Sequence, residues 1–433
     1  MGAAAGSAIQ SIAFDPADAR SALLELPQRP AVFALYGAEA KDEPYIGRTP
    51  NLRGRLERLL QPSPKHPRRL QLAGRVRRIA WRLTGSEFES LLIQFSLLEE
   101  IYGPKSLERM HLRAPAFIRY LGGNPYPRIV VTNKPSQREA DSAYGPFASR
   151  AAAERFSEEA LKLFLLRRCT DDLDPNPSHP GCVYSEMKMC LAPCYKGCTD
   201  ERYAEEAAAV RDFLATRGES KLVALRTQRE QASTNLEFES AAALHAQVQR
   251  VEGVRALAPE LVQPLSKLRG VILQTSAAPD EVAVFLFENG RLRGPAAFST
   301  LGMRIQNERS GSSSLFAQPM TIEPVPEQPP LGDLASQPAT GATLIETPAK
   351  AARSLLEARL ESVLAALSAS VEAPSPTIRQ GHLALLKRWY YRPEVRRVGE
   401  ICFPDAEGHW PLKSILRSVG RVAAKSLAAA KPE

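Results

Sequence analysis

No apolar run in the 433 residues approaches the ~18 that a membrane-spanning helix needs. The alanine-rich start, MGAAAGSAIQ, also lacks a basic stretch leading into an apolar one, so it reads as a loose terminus rather than a secretory leader. A cytoplasmic location is the expectation. C-x2-C pairs are absent although six cysteines are present, which argues against a zinc ribbon. Acids are scarce in one stretch in particular. Between Gly47 and Arg82, eleven cations (Arg48, Arg53, Arg55, Arg58, Lys65, Arg68, Arg69, Arg75, Arg77, Arg78 and Arg82) meet a single acid, Glu57. The whole chain carries only +8, so the excess is local. Such a segment suits a polyanion, nucleic acid above all, and a merely solvated basic face is the plain alternative.

A chain of this length with 44% hydrophobic residues is expected to form two to four modules. Residues 1–30 are expected to be a loose N-terminus, and residues 31–135 alternate strand-like runs (AVFALY, RIVVT) with helix-like ones (NLRGRLERLL, SEFESLLIQFSLLEE), predicting a small α/β module. Residues 136–200 form a connector containing five of the six cysteines, and 201–262 are helical by period. GVILQT and EVAVFLFENGRLRGPAAF predict a β pair in 263–306, turning at Asn289-Gly290. Residues 307–345, rich in Ser, Pro, Gln and Gly, predict a flexible linker, and 346–433 a basic helical region. The expected fold is thus multidomain: α/β first, then mainly α-helical with a short β pair.

AVFALY (31–36) followed by PYIGRTPNLRGRL (44–56) resembles the GIY-YIG nuclease domain, with Tyr45-Ile46-Gly47 as the second half of the signature. YGPFAS (144–149), the spaced cysteines and LEFESAAALHAQVQRVEGV (236–254), which is similar to a UVR motif, follow in the order that resembles the UvrC family of the excinuclease ABC system. The resemblance covers roughly residues 30–300. It implies single-metal phosphodiester hydrolysis, with Mg or Mn as the ion. Tyr45 then stands as the phenol near the attacking water, Arg55 as the phosphate-binding arginine, and Arg48 where lysine is common. Arg48, Arg53, Arg55 and Arg58 are the candidate DNA contacts. The family's RNase H-like and helix–hairpin–helix parts are not expected in this sequence, where only Asp280, Asp333 and Asp405 remain as aspartates beyond residue 265.

Two positions depart from the implied chemistry. Phe33 occupies the place of the first signature tyrosine, and Gln94 that of the glutamate that would ligate the ion. Phe offers no polar atom, and Gln only a neutral carbonyl to a hard cation. On helical geometry Glu89, Glu99 and Glu100 lie about 120–140° away from Gln94, and Glu87 shares its face about 10 Å along the axis. Asp42 or Glu43 is the nearby suggestion for a substitute acid. Three readings follow: a DNA-binding repair component with incision weakened or lost, a working endonuclease making a single incision, and a non-catalytic interaction protein.

Cys169, Cys182, Cys190 and Cys194 follow C-x12-C-x7-C-x3-C, with Cys198 one x3 step further. Thiolate ligation of an iron–sulfur cluster and structural cysteines without metal are both open, and the resemblance implies a 4Fe-4S cluster. Cys402 reads as a core residue. The stripe Leu236, Phe238, Ala241, Leu244, Val248, Val251 is either internal packing or a docking face. The resemblance implies that Leu236, Phe238, Glu239 and Ala242 meet UvrB, the helicase-like member of the excinuclease ABC system. Near the end, Trp389, Tyr390 and Tyr391 sit among basic residues, which suits either base stacking or a core cluster.

Overall fold

The computed structural model describes residues 9–39, 41–61, 72, 74–123, 125–170, 173–301, 303, 348–369 and 373–430. Three four-stranded antiparallel sheets organise them. In the first, β1 (Gln10–Ala13), β2 (Ala31–Tyr36), β3 (Tyr45–Thr49) and β4 (Arg78–Leu83) lie in the order β1-β4-β2-β3, leaving β3 on an edge. Helices α1 (Ala19–Leu24) and α2 (Leu52–Leu60) cover one sheet face, where Phe33, Leu35, Leu52, Leu56 and Ile79 are buried. The segment expected to be a loose terminus therefore differs from expectation from residue 10 onward. β1 pairs with β4, and Phe14, Leu23 and Leu26 are core residues. α3 (Glu87–Tyr102) and the single turn α4 (Ser106–Arg109) follow.

The second module begins earlier than residue 136. β5 (Ala116–Leu121) and β6 (Arg128–Thr132), expected in the first module, pair with each other, and β5 pairs with β7 (Ala143–Phe147); with β8 (Gln263–Pro264) the sheet is ordered β6-β5-β7-β8. α5 (Arg150–Leu161), the short α6 (Val183–Glu186), α7 (Asp200–Ala215), α8 (Glu219–Thr234) and α9 (Phe238–Ala256) lead to β8 (Gln263–Pro264). Phe147, Phe156, Tyr203, Phe213 and Val251 are in its core.

The β pair proves to be part of a larger sheet. β9 (Gly270–Thr275), β10 (Glu281–Glu288) and β11 (Arg291–Ser299) form a meander, with Asn289 and Gly290 at φ 52° and 77° in the turn. α10 (Pro348–Ser368), α11 (Pro376–Tyr390), β12 (Glu400–Cys402) and α12 (Leu412–Ala430) return to this sheet, and β12 pairs with β9. The C-terminal stretch is thus not a separate helical region. Alternation decides what packs where. Val271, Leu273, Val282 and Val284 face α10 and α12, whereas Ile272, Ala283, Phe285 and Phe287 face α3 and α11. Helix α3 consequently belongs to two modules at once. The predicted linker, residues 307–345, lies outside the described residues.

Candidate functional site

The turn after β3 sets the first cluster. Asn51 caps α2, its side chain accepting from Gly54 N at 2.9 Å, and Thr49 Oγ1 and the Asn51 backbone exchange hydrogen bonds. This places Arg55 one turn into α2, where its Nη2 donates to Tyr45 Oη at 3.4 Å, a long contact. Phe33 lies beside them, its ring centroid 6.1 Å from that of Tyr45. Only 1% of Phe33 is exposed. Its ring covers Gly47, where a Cβ would fall 2.7 Å from Phe33 Cζ, so the absence of a side chain at 47 is what lets the ring lie there.

Helix α3 flanks the same strand. Ser86 caps it by accepting from Glu89 N, and its two ends are tied to the β3 region. Glu87 pairs with Arg48 at 3.3 Å, while Tyr102 Oη donates to Pro44 O at 3.1 Å. Gln94, half-buried, lies about midway between these ties. The acids proposed as substitutes are engaged at the loop end of the hairpin. Asp42 accepts from Glu39 N at 3.3 Å, and Glu43 pairs at 3.0 Å with Arg109, which stacks on Tyr102. Glu89 is buried and accepts from Gly85 N at 2.8 Å; burial pushes its carboxyl up. Gln94, where the resemblance would place the ion's ligand, offers only an amide carbonyl to a hard divalent ion.

The four candidate DNA-contacting arginines differ in role. Arg48 is exposed, and Arg58 is an exposed side chain whose Nε donates back to Gly54 O at 2.8 Å. Arg53 is a structural clamp, contrary to expectation. Its Nε and Nη2 donate to Leu26 O and Leu24 O at 2.7 and 2.6 Å, fastening α2 to the end of α1. Lys65, Arg68 and Arg69 lie outside the described residues.

The cysteines fall into two groups. Burial pushes the Cys190 thiol up to about 11, with the charges of Cys169, Cys182 and Cys194 adding to the effect, so those four are close enough to feel one another. Arg167 Nη1 donates to Cys169 Sγ at 3.5 Å, and Ala192 N to Cys190 Sγ at 3.2 Å. Four soft donors, with N–H groups directed at sulfur, fit thiolate ligation of a cluster. Cys198 stands apart, next to Asp200 and Arg202.

α8 and α9 form a hairpin whose stripe divides. Val248, Val251 and Val254 are buried in the second core, whereas at the tip Leu236 and Phe238 remain 70% and 68% exposed, with Glu239 and Ala242 exposed beside them. Leu236 adopts φ 60° in the turn.

The terminal aromatic group is core rather than a stacking platform. Trp389 is 4% exposed and packs against Phe88 with ring centroids 5.4 Å apart, while its Nε1 donates to Val398 O at 2.8 Å. Tyr391 Oη donates to Pro146 O, and Arg397 covers the Trp389 and Tyr390 rings. One charged arrangement had no sequence signal: Arg392 reaches Glu87 with two N–H groups, at 2.8 and 2.9 Å. Only the fold brings positions so distant together.

A family model described as "UvrC/Cho excinuclease, middle domain" matches residues 117–213, which run from β5 through α7 and include the five clustered cysteines. Curated relatives named "UvrABC system protein C" are similar over more of the chain. That of Alcanivorax borkumensis is 29% identical over 286 residues, covering 66% of this chain and 46% of the relative. That of Aliivibrio salmonicida is 26% identical over 287 residues (65% and 46%), and that of Pseudomonas aeruginosa PAO1 29% over 231 residues (53% and 38%). The chain is UvrC-like in sequence, and what it matches spans less than half the length of these relatives. No solved structure matches it.

Proposed function

We propose that the chain is a UvrC-like, DNA-binding component of nucleotide excision repair whose GIY-YIG-type site holds phosphate but incises weakly or not at all. The observation that carries this reading is the unequal state of the site. Tyr45 and Arg55 are kept together beside an edge strand, while Phe33 is buried as packing and Gln94 supplies an amide where a carboxylate would hold the ion. Arg48, Arg55 and Arg58 can neutralise phosphates, and that function needs no metal. Efficient hydrolysis needs the ion and a proton acceptor, and both supports are weakened.

Two further assignments accompany it. Cys169, Cys182, Cys190 and Cys194 would hold a 4Fe-4S cluster, which when bound braces the long loop between α5 and α7 by tying four distant points together. The exposed Leu236 and Phe238 at the hairpin tip, with Glu239 and Ala242, suit docking of a helical hairpin from a UvrB-like protein, because a pair of large apolar side chains held out in water gains most from a partner.

Duplex binding measured by fluorescence anisotropy across a salt series tests the reading. Binding that weakens by about 0.9 log units per log unit of salt for each phosphate engaged is expected. Absence of binding at low salt would overturn it.

A further inference from the structure

Glu87, at the start of α3, is surrounded by more positive charge than it can neutralise. Arg392, just past the end of α11, donates Nη1 to Oε2 at 2.8 Å and Nη2 to Oε1 at 2.9 Å. Arg48 of β3 adds Nη1 to Oε1 at 3.3 Å, and the charge of Arg388, in the last turn of α11, also bears on the carboxylate. Two guanidiniums thus contact a single acid, and exposed Arg388 lies one helical turn before Arg392, which leaves a net positive charge at the seam between two modules. The site is open to solvent: the Arg48, Arg392 and Glu87 side chains are 34%, 28% and 41% exposed, and Arg388 is exposed. A pair formed only to pin two modules together would need one arginine for one carboxylate. The excess repels itself unless an anion meets it.

We infer that Arg388 and Arg392 extend the phosphate-binding face that Arg48 begins, so that the C-terminal half of the chain contributes a segment of the DNA path. The inference rests on the DNA-binding reading above and assigns a role to α11 that the nuclease-type site does not require. The occupant is a nucleic-acid backbone because Arg48 already lies beside β3, and a second phosphate further along a strand meets Arg388 and Arg392 in turn. Guanidiniums match phosphate oxygens with paired N–H donors.

The test is the salt dependence of duplex binding by the full chain and three variants. Arg388→Ala removes an exposed charge, and Arg417→Ala removes one from α12, on the opposite face of the β9–β11 sheet, as a control. Arg388→Ala should lower the slope of log affinity against log salt by about 0.9 and weaken binding several-fold in low salt, while the control leaves both unchanged. Glu87→Gln removes the acid and keeps its shape, and should bind DNA as tightly as the natural chain or more tightly. If Arg388→Ala matches the control, or Glu87→Gln weakens binding while the thermal midpoint is unchanged, α11 is no part of the path and the inference is overturned. A natural chain that binds no DNA would instead overturn the parent reading, and this extension with it.

Discussion

Gly381 of α11 rests on the ring of Phe95, the residue that follows Gln94: a methyl group on Gly381 would lie 2.1 Å from Phe95 Cζ. Phe95 is 1% exposed and has His382 on another side, with ring centroids 5.5 Å apart, so it has no room to retreat. The helix that would present a metal ligand is thereby clamped between β3 and the C-terminal module.

Gly381→Ala should therefore destabilise the chain by about 1–3 kcal/mol, the usual cost of overpacking, although alanine is the better helix former. A thermal midpoint several degrees below that of the natural chain is expected. An unchanged or raised midpoint would mean that α3 and α11 are separable.

His382 provides a pH signature. Its Nδ1 accepts from Leu292 N at 2.9 Å, and burial, aided by the charge of Arg291, pushes its pKa down to about 3. The unfolded chain takes up this proton below about pH 6.5 and the folded chain does not. Stability should thus be fully present above about pH 6.5 and fall between there and about pH 3, with a slope of about 1.4 kcal/mol per pH unit from this group. His382→Asn, which can keep an acceptor for Leu292, should remove that part of the slope in urea titrations at about pH 7 and pH 5. An identical slope in the two proteins would show that His382 protonates freely when folded.

The cysteine assignment predicts colour. Protein purified without oxygen should be brown, with iron and sulfide in about equal amounts, as thiolate-bound clusters contain. Cys190→Ser should lose both. Cys198→Ser should retain them, since Cys198 lies apart from the other four. A colourless natural protein with no bound metal would leave the cysteines as packing residues only.

The hairpin tip predicts a separation of stability from association. Phe238→Asp should abolish pull-down of a UvrB-like protein and leave the thermal midpoint within about a degree, because the side chain is 68% exposed. Val251→Asp, in the core, should lower the midpoint sharply. Unaltered association of Phe238→Asp would place the docking face elsewhere.

Periodicity is a local signal, and the elements legible from it are local ones: β2, β3, α2, α3, the α8–α9 pair and the Asn289-Gly290 turn. Pairings between distant segments were not legible. Four residues, QSIA, give β1 too little alternation to announce a strand, and its place is set by β4 across the sheet. EIC is shorter still, yet it joins the tail to β9. The basic-aromatic run at Trp389–Tyr391 has the composition of a stacking surface, and only the position of Phe88 shows that Trp389 points inward. In the same way Arg53 counts as a cation in the sequence, while the carbonyls of Leu24 and Leu26 decide its role. Within the candidate site, Tyr45 and Arg55 come together as the resemblance implies; Glu87 gains its meaning only through Arg392, 305 positions later.

Nicking of supercoiled duplex in magnesium or manganese tests the central claim most directly. The natural chain should bind the plasmid and leave it uncut. Phe33→Tyr with Gln94→Glu should introduce measurable nicking despite some loss of stability from a hydroxyl placed beside Gly47, and Arg55→Ala in that background should remove it. Robust metal-dependent nicking by the natural chain, abolished by Arg55→Ala, would contradict the account and show that the site works without a carboxylate at position 94.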